Sequence, residues 1–366
     1  MPAARKRRIV YGVHGYGRGH AARAQAVLPE LTRRYDTLVL AGDDAYDQLR
    51  GQYPVVRIPT LRYYAGRRGR RSALLTIQRN LPGVCDLLLG GPTFQMVLGE
   101  MRRFGPDVVI SDSEAWTHRA ARALGIGRVS FDHYGILVYC RLEMPRRDRI
   151  ECWLESLAYR ALVCQSERAI VAAFYEGPPK RRGARVVGPI LRREVRETPP
   201  SPGDYLLVYF SNAAVHFTPR VEKALRGLAR PVRVYGPDRA GIEGSLHFRP
   251  AANLPFVKDL AGCRAVFSTA GNQLISEAIH FGKPLLLMPE ESLEQRLNAS
   301  YVQRWGIGMR TCPAAVTTDL LKRFLGRADE FADNARIRRR DGLGEALRAI
   351  EEAVEELATR REAERG

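Results

Sequence analysis

Short apolar runs rich in Val, Ile and Leu alternate along this chain with stretches whose apolar residues recur every three to four positions. Such a rhythm predicts strands alternating with amphipathic helices. In the first half it gives a strand at 8–13, a helix to about 34, strands at 37–40 and 55–58 around a helix at 45–50, and a helix at 94–103. A strand at 106–112, a helix at 115–124, a strand ending in Phe131-Asp132-His133-Tyr134-Gly135, and a helix then a strand over 150–175, the strand at 161–164, complete it. The second half gives strands at 205–210, 232–235, 246–249, 265–267 and 285–288, helices at 218–228 and from 272 to about 281, a short helix ending at Gly262, and a last charged helix at 343–361. Strands separated by helices cannot close as hairpins, so the sheets are expected to be parallel.

The densest break in this rhythm is Thr198-Pro199-Pro200-Ser201-Pro202-Gly203, where proline and glycine stop both helix and strand. It divides the chain into 1–190, a linker at 191–203, 204–340, and a terminal helix at 341–366. A length of 366 residues with 45% apolar content supports two domains, each with its own core. No apolar run approaches the 18 residues of a membrane span, and residues 1–8 are not followed by a signal-peptide core, so a cytoplasmic protein is expected. The six cysteines show no C-x-x-C pair, which favours reduced, packed thiols over disulfides or zinc.

Two strand-turn-helix junctions carry the candidate chemistry. In the first, Gly12 to Arg23, no G-K-[ST] follows the glycines, and His20 replaces the third glycine of a dinucleotide fingerprint. A redox cofactor is thereby disfavoured. A histidine in the first turn of a helix is held neutral by the helix dipole, which suits a general base. Asp112, at a strand's carboxyl end, is placed either to orient His20 or to cap the following helix. His133, at the next strand end, is a second candidate base. In the other junction, Ser268-Thr269-Ala270-Gly271-Asn272 leads from strand to helix. The free N–H groups there suit a diphosphate, and Glu277, farther along, suits the two hydroxyls of a ribose. Glu290, Glu291, Glu294 and Gln295 follow the next strand.

The pattern Gly271-Asn272, Glu277, Gly282-Lys283-Pro284, Pro289, Glu294-Gln295, Asn298-Ala299 and Gly306-Ile307-Gly308 resembles the donor half of GT-B-fold, UDP-sugar-dependent glycosyltransferases, in particular those similar to glycosyltransferase family 28. Gly17-Arg-Gly19-His20-Ala-Ala-Arg23 resembles the glycine-loop histidine motif of the same enzymes. The resemblance implies an α/β fold of two Rossmann-like, doubly wound domains facing a central cleft. It implies an inverting transfer of a hexose or N-acetylhexosamine from a UDP-sugar to a hydroxyl acceptor, lipid-linked acceptors included. By the same resemblance His20 is the base and Arg23 binds an anionic part of acceptor or donor, while His133, from its strand-end position at the cleft, is placed with the acceptor. Thr269, Gly271, Asn272 and Glu277 hold the nucleotide diphosphate, and Glu294 and Gln295 the sugar. Ser211 and Asn212 stand where related enzymes have a glycine-rich loop near the phosphates, and Asn253 lies near the expected position of the base. No cofactor or metal is expected, since no D-x-D motif fits. The remaining alternatives are a UDP-sugar 2-epimerase or nucleotide-sugar hydrolase of the same fold, and a non-catalytic nucleotide-sugar or nucleic-acid binding protein.

The net charge of +18 sits mainly in residues 1–190, with 31 Lys and Arg against 17 Asp and Glu. Its densest part is Arg62, Tyr63, Tyr64, Arg67, Arg68, Arg70 and Arg71, followed by Leu74 and Ile77. Such a segment suits peripheral contact with an anionic membrane at the inner face, grips single-stranded nucleic acid by stacking, or is a solvated loop. The absence of helix-turn-helix, RNA-recognition and zinc-knuckle motifs disfavours nucleic acid.

Overall fold

The computed structural model describes residues 5–64, 72–250 and 253–364. Arg67, Arg68, Arg70 and Arg71 lie outside the described residues. The chain forms two compact units, with the division after Arg192 and a return to the first unit at Gly342.

The first unit is built on β1 (Arg8–Val13), β2 (Asp36–Ala41), β3 (Val55–Arg57), β4 (Val108–Asp112), β5 (Gly127–Asp132), β6 (Arg168–Ala172) and β7 (Ala184–Val187). They form one parallel sheet in the order β3-β2-β1-β4-β5-β6-β7. Consecutive residues Ile9, Val10 and Tyr11 of β1 are all fully buried. Burial on both faces is why such a strand reads as an unbroken apolar run rather than an alternation. The Leu343–Ala363 helix returns to this sheet, burying Ala346, Ile350, Val354 and Leu357 in the same core as Ile9, Ile110 and Val129. Its approach is close: a Cβ on Gly127 would lie 2.9 Å from that of Leu357.

The second unit contains β8 (Leu206–Tyr209), β9 (Val232–Tyr235), β10 (Gly241–Glu243), β11 (Leu246–Arg249), β12 (Ala265–Ser268), β13 (Leu285–Leu287) and β14 (Gly308–Arg310), in the order β10-β11-β9-β8-β12-β13-β14. All neighbours are parallel except β10 and β11. The 193–203 segment belongs to this unit, with a short Arg193–Glu197 helix and Ser201 N–H donating to Ala261 O at 3.0 Å.

Residues 161–164 are not a strand. They close the Arg146–Val163 helix, whose buried face is Cys152, Ser156, Tyr159 and Val163, and the strand of that region is β6. A short apolar run has too few residues to show its period, and here the helix continues through it. The β10 edge strand also lay beyond the apolar pattern, because Gly241-Ile242-Glu243 carries one apolar residue.

In each sheet the first strand has its successor on one side and a later strand on the other. These switch points, between β1 and β4 and between β8 and β12, are where open α/β sheets bind ligands beyond the strand ends. Because the terminal helix supplies a face of the first core, Leu357→Ala is expected to cost about 2–5 kcal/mol, measured as a lower urea midpoint with unchanged slope.

Candidate functional site

In the first unit the chain leaves β1 and turns into the Arg18–Arg34 helix through Gly17, whose φ of 87° strains any residue with a side chain. Gly12 has no room for a Cβ, which would lie 2.3 Å from Thr117 Oγ1 and 2.8 Å from Glu114 Oε2. The glycines therefore set β1 against the Ala115–Ala123 helix and start the first helix at once. This brings His20, in its first turn, to the end of β4.

His20 Nδ1 lies 2.7 Å from Asp112 Oδ1. Arg23, three residues on and thus on the same helix face, closes a fork on that carboxylate, Nε on Oδ2 and Nη2 on Oδ1, both at 2.7 Å. Asp112 is wholly buried and Arg23 is 4% exposed. Burial alone would raise the Asp112 carboxyl, but Arg23 and then His20 outweigh it and hold it at about 2. The carboxylate is therefore ionised at neutral pH and accepts the Nδ1–H of His20, leaving Nε2 as the basic nitrogen. His14 stands edge-on to His20 with ring centroids 5.1 Å apart, and desolvation and His20 lower it to about 3.

Arg23 is turned inward onto Asp112, so its fork is occupied rather than presented to an acceptor. Asp112 does not cap the next helix. Glu114 does, accepting from Trp116 N at 2.6 Å and Thr117 N at 2.8 Å, after the chain reverses at Ser113 with φ 54°. The sequence reading missed Glu114; a carboxylate one residue before the helix was the available signal. His133, 6% exposed, has Nδ1 3.1 Å from Ala172 O on β6, and burial followed by Arg23 lowers it to about 3.

In the second unit the Asn272–His280 helix follows β12 directly, and its N-cap is Gly271, which has no side chain to cap the first turn. The space where a Gly271 Cβ would stand is open to 4 Å, so a ligand can approach this backbone closely. The loop is fixed from the Leu293–Arg304 helix. Gln295 Oε1 accepts from Ala270 N at 3.0 Å and Glu290 N at 2.9 Å, and Asn298 Nδ2 donates to Ala270 O at 2.9 Å. Two backbone donors orient the Gln295 amide with its oxygen toward them and its Nε2 turned away. Glu294 lies in the first turn of that helix, capped by Ser292.

Glu277 is only 1% exposed, and Gln273 Nε2 donates to its Oε1 at 2.9 Å. Thr269 is buried beside Gly271, and Ser211 and Asn212 form an exposed turn after β8. That turn and the Gly271 loop flank the β8/β12 switch point, across which Ser268 Oγ donates to Tyr209 O at 2.6 Å. Asn253 opens the Asn253–Gly262 helix, exposed, with Nδ2 3.4 Å from Glu194 Oε1.

Two Rossmann-like units, each with loops gathered at its switch point, define the architecture of the GT-B glycosyltransferases. The chain belongs to glycosyl transferase family 1, whose model matches residues 7–328. No curated protein matches the sequence. Solved structures share the fold over nearly the whole chain. The kitacinnamycin glycosyltransferase is 19% identical with a TM-score of 0.68, covering 95% of this chain and 100% of its own. MurG from Acinetobacter baumannii is 16% identical with a TM-score of 0.62, covering 94% and 99%. VinC in complex with dTDP is 16% identical with a TM-score of 0.63, covering 95% and 100%.

Removing the Asp112 charge leaves Arg23 buried and unpaired. Asp112→Asn is therefore expected to lose about 3–5 kcal/mol of unfolding free energy by urea titration. In the wild type the folded carboxyl titrates below its usual value, so this ion pair contributes fully above about pH 4 and is lost as pH falls through about 2. The acid limb of a stability-against-pH curve should accordingly be shallower in the variant.

Proposed function

We propose that the protein is an inverting glycosyltransferase that moves a hexose or N-acetylhexosamine from a UDP-sugar to a hydroxyl acceptor without a metal. The observation that carries this reading is the His20–Asp112–Arg23 cluster in a chain of this family. His20 Nε2 takes the acceptor's hydroxyl proton as that oxygen attacks the anomeric carbon, and the bond from that carbon to the diphosphate breaks in the same displacement. Asp112 stabilises the imidazolium, and Arg23 keeps Asp112 ionised and in place. The N–H groups at the start of the Asn272–His280 helix meet the charge of the departing UDP. Glu277 takes the ribose hydroxyls and Gln295 Nε2, with Glu294, the sugar.

His20→Ala should lower turnover about 10²- to 10⁴-fold and leave UDP affinity nearly unchanged by calorimetry. An unchanged turnover would move the base elsewhere, with His133 the next to test. Glu277→Ala should weaken UDP by about 1–3 kcal/mol and a dTDP donor by less. Equal UDP affinity in the folded variant would remove the ribose assignment.

The acceptor in this proposal is presented at an anionic membrane surface. Two helices of the first unit support it with apolar faces open to solvent: Leu74, Ile77 and Leu81 on Ala73–Leu89, and Ile150, Trp153, Leu154 and Leu157 on Arg146–Val163. The second stripe follows Arg146, Arg147 and Arg149, the pairing of apolar face and basic flank that binds a lipid interface. Among the described residues no single helix is long and apolar enough to cross a membrane. Trp153→Glu with Leu157→Glu should abolish sedimentation with phosphatidylglycerol vesicles at low salt while UDP binding persists. A wild type that stays in the supernatant would dismiss the membrane.

A further inference from the structure

The Asn272–His280 helix has a second end. Its carboxyl terminus meets that of the Ala328–Ile337 helix and the 200–203 segment around a cavity of about 530 Å³, before the amino ends of β12 and β13. None of the residues assigned above lines it.

Its wall carries Arg264, Lys283, Arg336, Arg339 and His280. Arg264 is paired with Asp329 at 2.8 Å and Arg336 with Asp333 at 2.5 Å. Lys283, 7% exposed, donates to the Ser201 carbonyl at 2.9 Å. Two helix carboxyl ends contribute about half a negative charge each. Four cations against two aspartates and those helix ends leave an excess of about one positive charge.

His280 makes the preference specific. It is 8% exposed, and its Nε2 lies 3.3 Å from Arg339 Nη2. A guanidinium only donates, so Nε2 is the acceptor nitrogen and Nδ1 carries the hydrogen. Nδ1 is buried with no hydrogen-bond partner among the described residues. Burial, and then Arg339, lower this histidine to about 4, so the ring is neutral at pH 7 and offers one N–H. The wall itself holds four cations and no carboxylate, which fits an oxyanion.

We propose that this cavity is a second anion site, which takes the phosphate or diphosphate group of a small molecule through Lys283, Arg336 and Arg339, with His280 beside Arg339. It stands at the opposite end of the same nine-residue helix whose amino end faces the proposed donor.

The test is calorimetric titration of the full chain with sodium pyrophosphate at low salt, with UDP saturating the donor loop. Binding is expected in the wild type and in Gly271→Asp, which places a negative charge at the donor loop. It should weaken at least ten-fold in Arg336→Ser with Arg339→Ser, two exposed positions whose loss does not empty the core. The His280 imidazole resonances, assigned by their loss in His280→Gln, should move on adding pyrophosphate. No binding beside UDP, equal affinity in the double variant, or binding lost only in Gly271→Asp overturns the site. Failure of UDP itself to bind counts against the proposed function alone, because the Arg336 and Arg339 comparison still reads the cavity.

Discussion

One ionised carboxylate, that of Asp112, is wholly buried at the end of β4, and much of the first unit is arranged to make that tolerable. The cost of desolvating such a group is several kcal/mol. Arg23 offsets it only by meeting both oxygens, and so must sit on the turn of helix facing β4. That requires the helix to begin within a few residues of β1, which Gly17 permits by its left-handed backbone. It also requires β1 and β4 to be adjacent and in register, with Val13 opposite Asp112. His14 N–H donating to Asp112 O at 3.1 Å ties the same two strand ends. His20 then shares the carboxylate with Arg23, so its orientation is a by-product of solving the charge problem.

The second unit addresses its switch point with the opposite physics. Its loop is pinned by neutral amides, Gln295 and Asn298, on both backbone groups of Ala270. The amino end of the Asn272–His280 helix, begun at a glycine without a capping side chain, carries a partial positive charge fixed by the backbone. One unit thus stabilises a buried carboxylate with a guanidinium, and the other orders its loop with amides. The complementarity suits a proton transfer in one place and a leaving diphosphate in the other.

How much of this was legible in the sequence depends on the range of the interaction. Strand-turn-helix order follows from local apolar period and glycine placement, so the two sheets and the positions of His20, Asp112 and Gly271 at strand ends could be read directly. Arg23 was read by resemblance as a contact for the substrate, and nothing local signalled its turn inward onto Asp112. Its burial depends on a carboxylate 89 residues away. Gln295 was read by its side chain's chemistry alone, whereas its oxygen is committed to backbone groups of two separate loops. Glu114 shows the same limit at short range. The residue that caps a helix is settled by where the chain reverses, here at Ser113, and not by which carboxylate comes first.

The excess of arginine in the first half also changes meaning once the terminal helix is in place. That helix carries Glu351, Glu352, Glu355, Glu356 and Glu362 toward the first unit, where Arg34, Arg185, Arg7 and Arg168 meet them. These pairs are exposed, and exposed pairs contribute little to stability and less in salt. Their value lies in register: five carboxylates spread over three turns match four arginines, one just before β1 and the others from the first helix, β6 and β7, in one placement of the helix along the sheet. The apolar face of Ala346, Ile350, Val354 and Leu357 supplies the energy, and a slide by one turn would keep an apolar face while separating every pair. Part of the basic surplus is therefore answered within the chain. The arginines at 146, 147 and 149 belong to a different surface, where they precede an apolar stripe.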